Sequence, residues 1–206
     1  MRIISGTAGG TILKVPEGLG VRPTPDQVRQ ALFNSLGIRV AGAKVLELFG
    51  GTGALSLESI SRGAQSAVCV EKSAKHAQFI RRNLELAKLP AGSLQTRVQD
   101  AFIAIAQMAA AGEKFDLILA DPPYGEKNVN RRSTSFAQKM LDDVHLAKLL
   151  PEHGLFVLGH TKRDTLTFPP AWEEVKMLKH GDTVMRILKT NVRGQVDELP
   201  EKPAGK

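Results

Sequence analysis

The chain has 206 residues, of which 42% are hydrophobic and 24% are charged, and these proportions are typical of one substantial globular domain. The longest apolar run, Ala101 to Ala111, is too short to cross a bilayer and contains Gln107, and the first residues lack the apolar core of a signal peptide. The formal net charge of +7 and the pI of about 9.7 favour a polyanionic partner.

The first forty residues are predicted to form an arm and a helix. Residues 1–20 contain five glycines and short apolar pieces, a pattern typical of a β-hairpin arm that lies outside the main fold. The sequence RPTPDQ that follows has the signature of a helix start. Thr24 suits the N-cap, Pro25 the first helical position and Gln27 the partner in a capping box. Gly37 is expected to end this helix.

From Lys44 onward, short apolar runs alternate with amphipathic segments, which predicts a doubly wound, mostly parallel α/β sheet. The predicted strands are Val45–Phe49, Ser66–Glu71, Leu94–Val98, Phe115–Ala120 and Leu155–Leu158, followed by a hairpin of Val175–Leu178 and Val184–Leu188. One predicted helix follows the first of these strands and ends near Arg62. Three others are predicted over Ala74–Leu89, Phe102–Ala110 and Phe136–Leu149. We assign residues 1–40 to the arm and its helix, 41–190 to the sheet domain and 191–206 to a flexible tail.

A glycine-rich turn, ELFGGTG (residues 47–53), joins the first predicted strand to its helix. Glycines permit a tight turn and let a ligand approach the main chain, and the N–H groups of the next helix favour an anion. Glu71 ends the second strand, where a carboxylate can accept hydrogen bonds from both hydroxyls of a ribose. The alternative is a plain turn beside a surface acid, and the regular strand–loop–helix–strand context favours a nucleotide site.

The turn departs from a dinucleotide fingerprint, because GTGALS (51–56) has serine where that fingerprint needs a third glycine. Glu47 would repel a pyrophosphate but could bind an amino group. S-adenosylmethionine offers an ammonium, a carboxylate and a ribose without a phosphate, so these residues favour it as the ligand. Asp100 follows the third strand and could accept a hydrogen bond from an adenine amino group. It is also expected to cap the next helix, and the two roles are compatible.

The sequence LADPPYG (119–125) ends the fourth predicted strand. Ligands of an open α/β sheet bind where the strand order reverses, so this segment should face the glycine turn. The Asp121 carboxylate and the Pro122 carbonyl oxygen could hold the two N–H groups of an exocyclic amine and direct its lone pair at a methyl sulfonium. Pro122 and Pro123 restrict the backbone, and Tyr124 offers a face on which an extruded base can stack. A simple Asp-Pro turn would leave Tyr124 unexplained.

Two further features concern charge and metals. The run KNVNRRSTSFAQK (127–139) carries four basic residues and no acid. It is either a solvated loop or a phosphate contact, and its place directly after LADPPYG favours the second. Cys69 lies in an apolar run that predicts an inert buried thiol, and a single cysteine suits a reducing cytoplasm. The five histidines show no metal-ligand spacing with Cys69, so we expect no metal site.

These segments resemble the class I S-adenosylmethionine-dependent methyltransferases that modify amino nitrogens. ELFGGTG is similar to their first cofactor motif, VEKSA to the acidic motif and DPPY to the catalytic motif. More narrowly, RIISGTAGG, RPTPDQVRQALFNSL, LELFGGTGALSLESISRGA and DPPY resemble the bacterial RsmD family, which methylates the N2 amino group of one guanine in 16S ribosomal RNA. The similarity extends from Arg2 to about Leu188.

The resemblance implies a seven-stranded sheet, S-adenosylmethionine as cofactor and an N-terminal arm that helps to hold RNA. Together with the chemistry of the individual residues, the resemblance assigns catalysis to Asp121, Pro122, Pro123 and Tyr124. The residues assigned to the cofactor are Glu47, Phe49, Gly51, Gly53, Glu71, Lys72, Asp100 and Ala101. Those assigned to the substrate are Arg22, Pro23, Thr24, Arg131 and Arg132. Three departures from the family pattern are Glu47 for aspartate, Tyr124 for phenylalanine, and Gly159-His160 where a glutamate is common.

The sequence therefore predicts a cytoplasmic RNA (guanine-N2) methyltransferase whose partner is ribosomal RNA, free or within the small subunit or its assembly intermediate, with no membrane partner. An enzyme acting on DNA adenine N6 or on a protein glutamine shares the DPPY type of motif. The N-terminal forty residues leave little room for a DNA-recognition domain, and a glutamine enzyme more typically has asparagine at position 121. A nicotinamide-dependent dehydrogenase would not explain DPPY, and a non-catalytic RNA-binding protein would be expected to have lost Asp121, Pro122 or the glycines.

Overall fold

The computed structural model describes residues 1–16, 24–124 and 131–191. Seven strands form one sheet in the order β3-β2-β1-β4-β5-β7-β6. The pairs β1–β2, β2–β3, β1–β4 and β4–β5 are parallel, and β7 pairs antiparallel with both β5 and β6. The strands are β1 (Lys44–Leu48), β2 (Ser66–Glu71), β3 (Leu94–Val98), β4 (Leu117–Ala120), β5 (Leu155–Thr161), β6 (Trp172–His180) and β7 (Thr183–Thr190).

Five α-helices and three short 3₁₀ helices accompany the sheet in the described part of the chain. The α-helices are α1 (Asp26–Leu36), α2 (Ala54–Ser61), α3 (Ala74–Leu86), α4 (Ala101–Ala110) and α5 (Phe136–Asp142). The 3₁₀ helices are Gly37–Val40, Ala91–Ser93 and Leu146–Leu149. Among these helices, none has the length and apolar character that a membrane span requires. The predicted α/β fold with a doubly wound, mostly parallel sheet is confirmed.

The helices cover the two faces of the sheet and create two cores. Along β1, Val45 belongs to the core that contains the N-terminal arm, α1, α2 and α3, whereas Leu46 belongs to the core under α4, α5 and the last 3₁₀ helix. Successive residues of a strand point to opposite faces, so a strand buried on both sides must be apolar throughout, as β4 is. The strand order reverses between β1 and β4, which places the predicted ligand crevice beyond their carboxyl ends.

The last predicted helix was too long. Asp143 has an extended backbone after α5, and its carboxylate accepts hydrogen bonds from the backbone N–H groups of His145 and Leu146, at 2.8 and 3.1 Å. These bonds start a new turn rather than continue the helix, because aspartate competes for nearby backbone donors. The predicted helix of Phe136–Leu149 is therefore two elements, α5 and the 3₁₀ helix Leu146–Leu149.

The arm is packed on the main fold rather than lying outside it. Within residues 1–16, its strands are reduced to one antiparallel bridge between Arg2 and Ile12. The buried Glu58 of α2 accepts the backbone N–H groups of Ile4 and Ser5, at 2.6 and 3.1 Å, which replaces the partners that a longer hairpin would supply. Three apolar side chains of the arm are buried in the core: Ile3, Ala8 and Leu13.

The start of α1 also differs from its prediction. The helix begins at Asp26 after Pro25, and no described side chain caps it. The Thr24 hydroxyl does not accept from the helix N–H groups as a capping box requires; it donates instead to Asp121. Gly37 ends α1 as predicted, with φ of 55°, a conformation that glycine adopts at little cost.

Candidate active site

A cavity of about 500 Å³ opens at the carboxyl ends of β1, β2, β3 and β4. The ends of parallel strands meet at one edge of a sheet, so four segments distant in sequence contribute to this cavity. Its lining, within the described residues, is formed by Phe49, Gly51, Val70, Glu71, Lys72, His76, Gln99, Asp100, Ala101, Asp121, Pro122, Pro123, Tyr124 and Phe136.

The glycine turn is built around an unusual aromatic residue. Phe49 directly follows β1 and has a φ of 61°, a left-handed conformation that is a steric outlier for a bulky side chain and one often found at functional sites. Its ring contacts those of Phe102 and Phe136, with centroids 6.2 and 5.7 Å away. Gly51 continues the turn at φ 55° and lines the cavity. The turn thus presents an aromatic ring and a bare backbone to a ligand.

Gly53 is needed for packing rather than for the cavity. It has φ of 74° and immediately precedes α2. A Cβ added there would lie 2.9 Å from Cγ2 of Ile80 on α3, so only glycine lets α3 pack this close. Gly53 is not among the described residues that line the cavity. The structure therefore gives this predicted cofactor residue an indirect part, in forming the turn.

Glu47 is placed differently from its prediction as a ligand for an amino group. Its side chain is buried and points to the start of α2, where it accepts the backbone N–H groups of Leu55 and Ser56, at 3.3 and 2.9 Å. A carboxylate satisfies helix N-terminal donors well, and among the described residues Glu47 does not line the cavity. Burial raises its pKa above the usual value.

Cys69 lies beside Glu47 on β2. It is fully buried, and its thiol contacts Oε2 of Glu47 at 3.4 Å. Burial, and secondarily the negative charge of Glu47, raises the pKa of the thiol well above its ordinary value. A thiol that is buried and stays protonated is a poor nucleophile. The structure therefore places Cys69 as the sequence predicted, in the core.

Two acids stand at the ends of neighbouring strands and face the cavity. Glu71 ends β2, and its carboxylate accepts the N–H groups of Gly51 and Ser73, at 2.7 and 2.8 Å. Asp100 follows β3 and accepts the N–H of Phe102 at 3.0 Å, so its predicted role as the cap of α4 is confirmed. Lys72 approaches Asp100 at 3.3 Å. Each carboxylate oxygen can accept more than one hydrogen bond, so both acids can also serve a ligand.

The DPPY segment lies across the cavity from these acids. Oδ2 of Asp121 accepts the hydroxyl of Thr24 at 2.5 Å. The Tyr124 hydroxyl contacts Oγ1 of Thr183 on β7 at 3.1 Å, which anchors the end of the side chain at the cavity wall. Gly159 of β5 leaves room for Asp121, since a Cβ there would lie only 2.3 Å from Oδ1 of that carboxylate.

The neighbour of Gly159 points to the other face of the sheet. His160 is buried, with Nδ1 2.9 Å from the carbonyl oxygen of Thr161, and Nε2 accepts Nε–H of Arg186 at 2.9 Å. This arrangement requires a neutral imidazole protonated on Nδ1. Burial, and secondarily the charge of Arg186, lowers the pKa of His160. The family glutamate is thus replaced by a glycine that accommodates Asp121 and a histidine that packs within the core.

The structure describes only some of the predicted substrate residues. Arg22 and Pro23 lie outside the described residues, as does the start of the basic run, 127–130. Arg131 and Arg132 are exposed, and the guanidinium of Arg132 pairs with Asp142 of α5 at 2.6 Å. Neither is among the described residues that line the cavity.

Four lining residues were missed from the sequence: Val70, His76, Gln99 and Phe136. Val70 and Gln99 flank predicted ligands along the chain, so the strand ends could have indicated them. Phe136 opens α5 within the basic run that follows DPPY, and no local pattern distinguishes it from a core aromatic. Within the described ranges, the structure contains no group of three or more His, Cys, Asp or Glu side chains placed to hold a metal ion.

Comparisons with known proteins agree with this architecture. Residues 1–189 match the family described as Conserved hypothetical protein 95. Ribosomal RNA small subunit methyltransferase D of Escherichia coli strain K12 is 30% identical over 201 residues, which are 96% of this chain and 93% of that protein.

Solved structures give the same result. A hypothetical protein of Thermus thermophilus is 27% identical, with a TM-score of 0.75 that covers 92% of this chain and 99% of the other. SMU.776, crystallised as a complex with SAH, shares the fold at 20% identity and a TM-score of 0.62, over 80% of this chain and 48% of the other. Nearly the whole chain matches the family, and the Escherichia coli protein is similar over most of its length. The chain therefore belongs to the Conserved hypothetical protein 95 family, and it is an RsmD-type methyltransferase as its motifs predicted.

Proposed function

We propose that this protein transfers the methyl group of S-adenosylmethionine to ribosomal RNA, and that the acceptor is the N2 amino group of a guanine in 16S RNA. One observation carries the proposal: the DPPY segment and the glycine turn, about seventy residues apart in sequence, line one cavity together with Glu71 and Asp100. The family relationship supports the same reaction, since the Escherichia coli relative bears the name of a small-subunit ribosomal RNA methyltransferase.

The residues at the β2 and β3 side of the cavity fit the cofactor. Glu71 has the position from which a carboxylate receives ribose hydroxyls, and Asp100 the position for an adenine amino group. Phe49 and Phe136 add apolar ring surface for a base. When bound, S-adenosylmethionine supplies an electrophilic methyl carbon on a sulfonium. The carboxylate of Glu47 already accepts the backbone N–H groups at the start of α2, so we assign it to the support of the turn rather than to the ligand.

At the β4 side, the Asp121 carboxylate and the Pro122 carbonyl oxygen act as acceptors for the two N–H groups of the guanine amine. This amine is a weak nucleophile, because its lone pair is delocalised into the ring. Two acceptors below the nitrogen favour a pyramidal geometry and direct the lone pair at the methyl carbon. The N–C bond forms as the S–C bond breaks, the bonding electrons stay with sulfur, and the nitrogen releases one proton to solvent or to Asp121.

Tyr124 holds the target base. Its side chain lines the cavity, and the contact of its hydroxyl with Thr183 anchors the end of that side chain. Stacking of an unpaired base on such a ring is worth about 1–3 kcal/mol. The hydroxyl that a family phenylalanine lacks therefore has a structural use here, and the substitution preserves the stacking face.

Recognition of RNA is assigned to charge outside the cavity. The chain carries a net charge of +7, and Arg131 and Arg132 are exposed a few residues beyond the DPPY segment. Contacts of arginine with phosphates supply affinity without sequence information. We assign the rest of the proposed substrate site to the N-terminal arm and to the segment that contains Arg22 and Pro23. The RNA that it binds belongs to the small ribosomal subunit.

The test incubates the protein with methyl-labelled S-adenosylmethionine and 16S RNA, either naked or in 30S particles, from a strain that lacks this activity. We expect label in N2-methylguanine at one position. Asp121→Ala should abolish transfer, while the dissociation constant for S-adenosylhomocysteine, measured by calorimetry, changes little. Full activity of that variant would refute the mechanism. Label in N6-methyladenine or in protein would select the corresponding alternative enzyme.

A further inference from the structure

We propose that Thr24 is a positioning residue whose hydroxyl orients the Asp121 carboxylate for methyl transfer. The proposal rests on the proposed function, because it assigns Asp121 to the reaction. Oγ1 of Thr24 donates to Oδ2 of Asp121 at 2.5 Å, across 97 residues of sequence. The contact joins a residue two positions before α1 to the residue that follows β4, at the wall of the cavity.

The hydroxyl serves the carboxylate instead of the helix. Pro25 occupies the N-cap position of α1, so Thr24 stands one residue before it, and its hydroxyl donates to Asp121 rather than accepting from the helix. Within the described residues no side chain caps this helix. The hydroxyl of Thr24 is therefore directed at a residue 97 positions away, in the segment to which catalysis is assigned.

The Thr24 side chain is held firmly enough to act in this way. Pro25 fixes the backbone directly after it. One turn later, Arg29 is completely buried, and its guanidinium binds Asp26 at 2.8 Å and also the carbonyl oxygen of Arg2. The first turn of α1 is thereby tied to the arm, and α1 packs on β6 and β7. The hydroxyl donor therefore lies next to a helix start that these contacts hold in place.

The consequence for Asp121 is a fixed carboxylate plane. A donor on Oδ2 restricts rotation about the last side-chain bond, and Gly159 on the opposite side provides the space in which Oδ1 fits. A hydrogen bond to a carboxylate also favours its ionised form. Both effects keep an acceptor oriented toward the substrate amine before the substrate arrives.

The test compares Thr24→Val, which keeps the shape but cannot donate, with Thr24→Ser, which keeps the hydroxyl. Thr96→Val is the matched control, because Thr96 is half-buried in the edge strand β3 and has no side-chain hydrogen bond in the described structure. Steady-state kinetics with 16S RNA, the pH profile of kcat and the thermal midpoint are measured for each.

We expect Thr24→Val to lower kcat about 10-fold, the size of one hydrogen bond to a charged group. The KM for S-adenosylmethionine should stay unchanged, and the acid limb of the pH profile should move to higher pH. Thr24→Ser should restore both. Wild-type kcat and pH profile in Thr24→Val, equal impairment of Thr24→Ser, or an equal loss in Thr96→Val would each overturn the proposal. If Thr24→Val does not fold, Thr24→Ala, which also lacks the hydroxyl donor, is measured in its place with the same expected result. An inactive wild type would instead refute the proposed function itself, and the positioning role with it.

Discussion

Replacement of Gly159 by alanine should disable the protein by moving the Asp121 carboxylate. Leu158 of β5 pairs with Ala120 of β4, so the next residues of the two strands, Gly159 and Asp121, are adjacent. An alanine Cβ would lie 2.3 Å from Oδ1, 2.9 Å from Cγ and 3.2 Å from Cα of Asp121. Because Cα is close as well, rotation of the side chain alone cannot relieve the contact.

The size of the effect follows from these distances. Ordinary van der Waals contact begins near 3.4 Å, so the carboxylate must withdraw by about 1 Å. A displacement of this size in a reacting group can reduce the rate about 100-fold. Overpacking at a tight site also destabilises a protein by about 1–3 kcal/mol, which is less than the typical total stability. We therefore expect a folded but nearly inactive variant.

The assay measures initial rates at saturating S-adenosylmethionine and RNA, with calorimetric binding of S-adenosylhomocysteine as a check on the cofactor side. Gly92→Ala is the matched control, because a Cβ at Gly92 has no neighbour within 4 Å and its φ is not positive. We expect kcat to fall about 100-fold in Gly159→Ala and to stay unchanged in the control. A Gly159→Ala variant with wild-type kcat would show that the position of Asp121 does not limit the reaction.

Three further outcomes are expected. Glu71→Gln should weaken S-adenosylhomocysteine binding about 10-fold in calorimetry, because an amide nitrogen cannot accept the hydrogen bonds that a carboxylate does; an unchanged constant would remove Glu71 from the cofactor site. Replacing Arg131 and Arg132 by alanine should weaken RNA binding and reduce the slope of log K against log salt by about 1–2, and an unchanged slope would indicate a solvated loop. His160 has a lowered pKa, so as pH falls below its usual value of 6.5 the unfolded state gains a proton that the folded state does not, and stability is lost. Urea unfolding at about pH 7.5 and 5.5 should show this loss of stability, and the loss should be smaller in His160→Gln than in the wild type. Equal losses in the two proteins would assign the pH dependence to other groups.

Much of the fold followed from local pattern. Apolar runs of strand length that alternate with amphipathic segments predicted all seven strands, and β2 and β3 have the predicted bounds. Parallel strands have their carboxyl ends at one edge, so the sequence could also predict that Gly51, Glu71, Asp100 and Asp121 would meet. These inferences hold because strand periodicity and the direction of parallel strands depend only on the chain itself.

The hydrogen-bond partners of individual side chains could not be predicted in this way. The pattern at Thr24 fitted a helix cap, and the position of Glu47 fitted an amino ligand, yet Thr24 bonds Asp121 and Glu47 bonds the start of α2. Both side chains had a plausible local or ligand partner in the sequence. Which partner prevails depends on which donor or acceptor lies closest after the elements pack, and local sequence carries no information on that distance.

By itself, the sequence determined the reaction class, because few other functions account for DPPY, the glycine turn and Glu71 together. Only the tertiary structure showed that the arm is packed on α2, that Phe136 enters the cavity and that Gly159 makes room for Asp121. Chemical identity is a property of each residue and can be read along the chain. Proximity arises only when separate elements pack to exclude water and satisfy their polar groups.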